Sequence, residues 1–185
     1  MTQAQHPVQA TPGQPPAVAG DTEQQQYLTF MLGEEMFAIG ILAIREIIEY
    51  GQLTEVPLVP RFIRGVINLR GAVVPVIDLS VRFGRNAGEI TKRTCIVIIE
   101  IAETGGAQAQ QMGIVVDAVS EVLEIAPGDI EPPPAFGTRI RTDFISGMGK
   151  VGGRFVVLLD VERILSLDEV AVIAAINQSE FGAAA

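Results

Sequence analysis

Apolar and polar positions alternate over short runs along most of the chain, and turn residues separate the runs. Residues 27–32 and 36–39 are apolar runs joined by Gly33, Glu34 and Glu35, which predicts a β-hairpin. Residues 65–69 and 73–79 predict a second hairpin with a tight turn at Arg70 and Gly71. Further strands are predicted over residues 46–50, 95–101, 111–116, 120–125, 144–151 and 154–161. Many short strands with regular turns are typical of an all-β barrel or sandwich.

Both ends of the chain depart from the strand pattern. Residues 1–26 offer little apolar surface, so we expect a disordered tail rich in Gln, Pro and Ala. Short helical turns are expected at residues 79–83 and 161–165, after two of the strands. Ser166 and Glu169 form a capping-box sequence, which predicts a C-terminal helix from Leu167 to about Asn177. Residues 179–185 are expected to fray.

The chain contains a degenerate copy of itself. Residues 62–79 align without a gap with residues 144–161, so that Gly71 falls on Gly153 at an offset of 82. Residues 39–48 align with residues 114–123, so that Glu46 falls on Glu121 at an offset of 75. This repeat is longer than the units of solenoid proteins, which run about 20–50 residues. We therefore expect two similar lobes, built mainly from residues 36–93 and 94–160, with strands exchanged at the ends.

The composition predicts a globular protein of the reducing cytoplasm. The chain has 185 residues, of which 48% are hydrophobic and 19% charged, enough for a core without covalent staples. Its single cysteine, Cys95, excludes an internal disulfide and a CxxC redox or zinc site, and its apolar neighbours predict a small buried hydrophobe. No apolar stretch reaches about 18 residues, and no secretory leader is recognisable at the N-terminus.

The charge distribution is uneven. A net charge of −9 argues against generic nucleic-acid binding. Eight of the thirteen basic residues lie between Arg45 and Arg93, together with five acidic residues, so this span has a net charge of +3. Two hypotheses remain open at this point: a basic face for an acidic partner, or arginines scattered in solvent.

The sequence contains no recognisable catalytic, metal or cofactor site. The only histidine is His6, in the expected tail, and no nucleotide-binding motif follows a strand. Asp78 and Asp160 are equivalent in the repeat, as in an aspartic-protease dyad, but the bulky Leu79 and Val161 follow them. The favoured alternative is that each aspartate caps the helical turn that follows it.

Arg70 is the leading candidate for binding another protein. It lies at a turn between two apolar strands, where its side chain is expected to point outward. One hypothesis is a charge-assisted anchor for a partner carboxylate. The other is an ion pair with Glu46 or another neighbour in the chain. Gly65 and Gly71 predict positive φ angles or a β-bulge.

Several of these segments together resemble the CheW-like chemotaxis coupling proteins. The most specific is Asn68-Leu69-Arg70-Gly71-x-x-Val74-Pro75-Val76-Ile77-Asp78-Leu79, preceded by Phe62-Ile63-x-Gly65. Gly33-Glu34-Glu35-x-Phe37-x-Ile39, Gly113-Ile114-Val115-Val116-Asp117 and Gly147-x-Gly149 extend the match. The resemblance covers residues 27–178. It implies two intertwined five-stranded SH3-like barrels, with short helical turns and a C-terminal helix.

The resemblance also implies a role. Such proteins are non-enzymatic adaptors, without cofactors or membrane insertion, that join chemoreceptor cytoplasmic tips to the regulatory domain of a histidine kinase in receptor arrays. Positions matching the family's partner contacts are Ile44, Glu46, Gly65, Arg70, Gly113 and Val122, with the division between receptor and kinase left open. The alternative is a peptide- or ligand-binding double barrel without a signalling role. The Gln/Pro-rich leader departs from the family's compact pattern.

Overall fold

The computed structural model describes residues 24–101, 109–133 and 142–164. The strands are β1 Gln25–Leu32, β2 Glu35–Gly40, β3 Ile44–Glu49, β4 Ile63–Leu69, β5 Ala72–Asp78, β6 Cys95–Ile101, β7 Gln110–Val116, β8 Ala118–Ile125, β9 Ile130–Glu131, β10 Ile145–Val151 and β11 Arg154–Leu159. The helices α1 Leu79–Arg82 and α2 Val161–Ile164 have one turn each, and 3₁₀ turns lie at Ile41–Ala43, Pro127–Asp129 and Thr142–Phe144. The predicted all-β class is confirmed.

The strands form two sheets with the same internal order. One sheet runs β8-β1-β2-β11-β10-β9, and we call its strands lobe A. The other runs β3-β6-β7-β5-β4 and forms lobe B. The β2–β11 and β5–β7 pairs are parallel, and the other pairs are antiparallel. The sequence repeat relates β3 to β8, β4 to β10 and β5 to β11, so the lobes correspond strand by strand.

The expected lobe boundaries are wrong. Residues 95–116 form β6 and β7, which belong to lobe B with β3–β5, whereas the N-terminal hairpin β1–β2 joins β8–β11 in lobe A. Parallel pairing decides this assignment: Val76 pairs with Gly113 in lobe B, and Val157 pairs with Phe37 in lobe A. The expected five strands hold for lobe B. Lobe A has a sixth, the two-residue β9, where lobe B has only a bridge between Thr54 and Val66.

Three clusters of buried side chains form the core of the described residues. One lies within lobe A and contains Tyr27, Ala38, Ile125, Val156 and Leu158. One lies within lobe B and contains Val74, Val76, Ile96, Ile98 and Val115. The largest draws on both lobes, with Phe30 and Phe37 from one and Ile99, Met112 and Ile114 from the other. The lobes therefore share their largest core and are not independent domains.

Equivalent residues of the two copies meet at the junction between the lobes. The Arg82 guanidinium carbon lies 5.0 Å from the ring centroid of Phe62 and 4.8 Å from that of Phe144, the equivalent of Phe62. Arg82 Nε donates a 2.9 Å hydrogen bond to the carbonyl oxygen of Ile164, which is itself the equivalent of Arg82. Phe83 packs between Phe37 and Phe144, with 5.9 Å between ring centroids in each pair. Such contacts place an approximate twofold axis at this point.

Several terminal predictions lie outside the described residues. These are most of the N-terminal tail, the C-terminal helix over 167–177 and the fraying end. The last two residues of the predicted tail belong to β1 instead, because Gln25 and Gln26 pair with Ile125 and Glu124. Within the described ranges, no helix is long and apolar enough to cross a membrane.

Candidate protein-binding site

The two lobes expose an aliphatic side chain at the same place. Strands β3 and β8 stand at the ends of their sheets, and such edges present unpaired backbone groups to other chains. Ile47 on β3 is 42% exposed, and its repeat equivalent Val122 on β8 is 46% exposed. Glutamates flank both side chains, which is a common protection of edge strands against aggregation. Both edges are therefore candidate surfaces for another protein.

The tip of the β4–β5 hairpin carries Arg70 in a strained conformation. Arg70 and Gly71 form a two-residue turn with φ angles of +52° and +85°, and the Gly71 N–H donates to Asn68 Oδ1 at 2.9 Å. A left-handed conformation costs a residue with a Cβ atom about 1–2 kcal/mol. Strain of this kind concentrates at functional positions, which supports Arg70 as a binding residue.

Arg70 pairs with Glu46 on the neighbouring edge strand. Its Nη1 donates to Oε1 at 3.1 Å and its Nη2 donates to Oε2 at 3.0 Å, a bidentate arrangement. The Arg70 side chain nevertheless remains 78% exposed, whereas that of Glu46 is 25% exposed. Because guanidinium has five N–H donors, three remain after this pair is made. The ion pair predicted as one alternative is present, and it leaves Arg70 able to bind a carboxylate of another protein.

Ile44 and Arg45 begin the same edge strand at a β-bulge. The register between β3 and β6 shifts between Ile44 and Glu46, and half-buried Ile44 packs against the core shared by the lobes. Arg45 forms an ion pair with Glu100 on β6. The hydrogen bond from Arg45 holds the pKa of Glu100 below its ordinary value, against a smaller opposing effect of desolvation. The bulge and the Arg45–Glu100 ion pair therefore hold the first residues of β3 against β6.

Gly65 and Gly113 lie inside lobe B and not on its surface. A Cβ atom at Gly65, whose φ is +151°, would clash with the backbone oxygen of Thr54. A Cβ atom at Gly113 would approach Ile96 Cγ2 to 2.7 Å and Val76 Cγ2 to 3.2 Å. Both glycines allow close packing, and neither offers a side chain to a partner. Any effect of these positions on binding acts through the packing of the lobe.

Most of the basic residues between 45 and 93 make contacts within the fold. Four of them pair with carboxylates of the chain: Arg45 with Glu100, Arg64 with Asp78, Arg70 with Glu46 and Arg85 with Glu35. Arg82 also lies over the rings of Phe62 and Phe144. For the exposed Arg61, Lys92 and Arg93, both hypotheses drawn from the charge distribution stay predictions.

The two equivalent aspartates act as helix caps, as the favoured alternative predicted. Asp78 Oδ1 accepts the N–H of Val81 at 3.2 Å, and its Oδ2 accepts from Arg64 Nε at 2.9 Å. Asp160 Oδ1 accepts the N–H groups of Glu162 and Arg163 at 3.1 and 3.3 Å. In residues 24–101, 109–133 and 142–164, no group of three or more metal-binding side chains is placed to hold an ion.

Cys95 is less buried than its apolar neighbours predicted. Its side chain is half-buried, and Sγ lies 3.3 Å from the carbonyl oxygen of Arg93. Burial, and to a lesser degree the charge of Glu49, raise the pKa of the thiol above its ordinary value. A raised pKa reduces the thiolate fraction, so Cys95 is a poor nucleophile at neutral pH.

The sequence of the chain is similar to those of known proteins, and this similarity shows its family. The family model of the CheW-like domain matches residues 26–169. The chain belongs to the CheW-like family. The chemotaxis protein CheW of Klebsiella aerogenes is 37% identical over 162 residues, which cover 88% of this chain and 94% of that protein. The chemotaxis protein CheW of Rhizobium meliloti is 32% identical, with 78% of this chain and 90% of that protein covered.

The CheW-like architecture is also evident from a solved structure. The scaffolding protein TtCheW from Thermoanaerobacter tengcongensis superposes with a TM-score of 0.70 at 30% identity. The match covers 90% of this chain and 96% of that one. Together with the two sheets described above, it confirms the double SH3-like fold that the resemblance implied.

The CheW-like fold brings only part of the predicted site together. Ile44, Glu46 and Arg70 lie at one end of lobe B, whereas Val122 lies on the edge strand of lobe A. Sequence reasoning missed Ile47, although the repeat aligns it with Val122 and so contained the signal. It also missed the fully exposed Leu42 and Leu58 and the half-exposed Phe155, because apolar residue types alone carry no signal of exposure.

Proposed function

We propose that this CheW-like protein is a non-enzymatic adaptor in cytoplasmic chemoreceptor arrays. It binds the cytoplasmic tips of chemoreceptors and a histidine kinase at the same time. The observation that carries the proposal is the doubled lobe: two equivalent edge-strand surfaces in one chain of the CheW-like family. An adaptor requires two binding surfaces on one rigid body, and the core shared by the lobes supports such rigidity.

The end of lobe B is the first of these surfaces. Ile47 supplies a small apolar centre, and the Arg70–Glu46 pair supplies a charged border with three free guanidinium donors. An apolar centre with a polar rim is the usual anatomy of a reversible protein interface. Contact areas of about 800 Å² per partner or less are suited to a dynamic array.

Coupling follows from simultaneous and state-dependent binding. An adaptor changes kinase activity only if it binds one state of the kinase or receptor better than another. In our proposal, the receptor tip lies in the groove between the lobes as a helical hairpin, and the kinase docks barrel to barrel. Neither contact requires a reactive group, which agrees with two equivalent aspartates that are occupied as helix caps.

Charge reversal at Arg70 tests this proposal. In co-sedimentation with purified kinase and a receptor cytoplasmic fragment, we expect Arg70→Glu to weaken one partner by about tenfold and leave the other unchanged. The double variant Arg70→Glu/Glu46→Arg is the control, because it restores an internal ion pair without restoring the outward charge. Binding of both partners by Arg70→Glu as tightly as by wild type would exclude Arg70 as an anchor. If the protein is a double barrel without a signalling role, the wild-type chain will bind neither the kinase nor the receptor fragment.

A further inference from the structure

Lobe A contains half of the charged arrangement at the end of lobe B. The repeat aligns Glu46 with Glu121 and Arg70 with Gly152. In lobe B, Ile48 and Leu69 pack in one buried cluster and so bring the edge strand to the hairpin tip. Their equivalents Leu123 and Val151 both pack against the buried cluster of lobe A. The edge strand and the hairpin therefore lie against the same buried cluster in each lobe, but in lobe A a glycine stands at the position equivalent to Arg70.

The carboxylate of Glu121 is consequently open. Its side chain is exposed, and it has no hydrogen bond or ion pair with any other residue in the described parts of the chain. Its backbone is nevertheless held firmly. Thr29 Oγ1 donates to the Glu121 carbonyl oxygen at 2.7 Å and accepts the Glu121 N–H at 3.1 Å, and Thr29 is fully buried. The strand thus holds the backbone of Glu121 in place and presents its carboxylate oxygens to solvent.

We propose that Glu121 accepts an arginine supplied by the histidine kinase, which takes the place that Arg70 occupies in lobe B. This inference rests on the proposed function. The geometry of the other lobe specifies the ligand, because there a guanidinium binds the equivalent carboxylate through two parallel hydrogen bonds. A lysine would supply only a point charge without the planar fork.

Two further observations favour a cationic protein surface as the occupant. Val122, next to Glu121, is exposed and offers an apolar contact beside the carboxylate. The described residues that build lobe A, 24–40, 117–133 and 142–164, contain ten acidic and three basic residues and so have a net charge of −7. Complementary charge steers such encounters and selects the partner. The kinase is the chosen occupant because it docks on barrel surfaces, whereas the receptor hairpin lies in the groove.

The turn in lobe A can accept the missing arginine within the chain. Gly152 has a φ of +57°, close to the +52° at which Arg70 already stands in the equivalent turn. No atom lies within 4 Å of a Cβ atom built at Gly152. Gly152→Arg should therefore fold, pair with Glu121 as Arg70 pairs with Glu46, and occupy the site from within.

The test measures the affinity of full-length kinase for four versions of the whole chain by titration calorimetry. We expect Glu121→Gln and Gly152→Arg each to weaken binding about threefold to tenfold. Gly152→Ala is the matched control, since it carries the same backbone strain without a guanidinium, and its affinity should equal that of wild type. The loss caused by Glu121→Gln should also shrink as salt rises.

Each outcome decides between the two proposals. If wild type binds the kinase and Glu121→Gln binds equally well, this inference fails and the proposed function stands. If Gly152→Ala loses as much affinity as Gly152→Arg, the turn and not the arginine is responsible, and the inference fails again. If wild type does not bind the kinase at all, both proposals fall. Unchanged thermal unfolding of Glu121→Gln would show that any loss is not a loss of folding.

Discussion

Lobes A and B share a strand order but differ at their hairpin tips. Lobe A makes its turn with Gly152 and Gly153, which adopt positive φ angles without strain, whereas lobe B makes the same turn with Arg70 and Gly71. The arginine accepts a conformation that costs about 1–2 kcal/mol. The difference teaches that the two copies kept the backbone of this turn and diverged in the side chain that the turn exposes.

The junction between the lobes shows the opposite behaviour. Phe62 and its equivalent Phe144 enclose the same guanidinium, and the aromatic rings of Phe37, Phe83 and Phe144 continue the contact across both lobes. Here, aromatic residues from equivalent positions serve a common purpose, because both lobes need this surface to complete their largest core. The junction thus combines a pair of phenylalanines kept in both copies with Arg82 and Ile164, which differ between the copies.

The largest expected effect comes from breaking this shared junction. Phe83→Ala should lower the free energy of unfolding by about 3–5 kcal/mol, because it opens a cavity between the rings of Phe37 and Phe144. Each lobe contains one of the two tyrosines, Tyr27 in lobe A and Tyr50 in lobe B, and the chain has no tryptophan. Tyr50→Phe and Tyr27→Phe backgrounds thus let tyrosine fluorescence follow one lobe at a time during urea unfolding.

We expect both reporters to give the same midpoint, and Phe83→Ala to lower both equally. Phe155→Ala serves as the control, since Phe155 is half-exposed and its removal should change the free energy of unfolding by about 0.5 kcal/mol or less. Separate midpoints for the two reporters in wild type would mean that the lobes are independent domains.

A smaller loss of stability is expected from alanine substitutions at two equivalent glycines, and the loss should differ between them. Gly65→Ala should cost about 2–3 kcal/mol, because φ is +151° and the new methyl group meets the backbone of Thr54. Gly147, its equivalent in lobe A, lacks the positive φ, and its Cβ atom would lie 2.6 Å from Ile130 Cγ2. Gly147→Ala should therefore cost less. If chemical denaturation shows the same loss of unfolding free energy for both variants, the two lobes do not differ in the strain at this glycine.

The smallest effect concerns the edge strand of lobe B. Arg45 lowers the pKa of Glu100, so Arg45→Ala should raise that pKa toward its ordinary value. A depressed carboxyl pKa stabilises the fold above the unfolded pKa, and this contribution disappears as pH falls through the folded pKa. The stability difference between wild type and variant should therefore shrink in acid. Carboxyl ¹³C shifts of Glu100 measure the pKa directly, and an unchanged titration would contradict the pairing.

Local features of the fold were readable from the sequence. Apolar runs around turn residues gave the hairpins β1–β2, β4–β5 and β10–β11, since register within a hairpin depends on neighbouring residues. The ungapped repeat gave the correspondence between Asp78 and Asp160, and the short turns after them gave their role as caps. Arg70 was recognised as exposed because a two-residue turn projects its side chains outward.

Long-range features were not readable. The sheet that a hairpin joins depends on parallel pairs such as Val76–Gly113, between distant residues, and the lobe boundaries were wrong for this reason. Gly65 and Gly113 were matched to partner contacts, but their packing became apparent only when Thr54 and Ile96 were placed against them. Glu121 was also missed, because an absent arginine at position 152 has meaning only beside its equivalent in lobe B.

Kinase control in a reconstituted array tests the central claim most directly. Receptor-containing vesicles and purified histidine kinase are assayed for autophosphorylation with and without this protein, in the presence and absence of receptor ligand. We predict that the kinase sediments with the vesicles and responds to ligand only when the protein is added. A kinase that sediments and responds equally well without it would contradict the account.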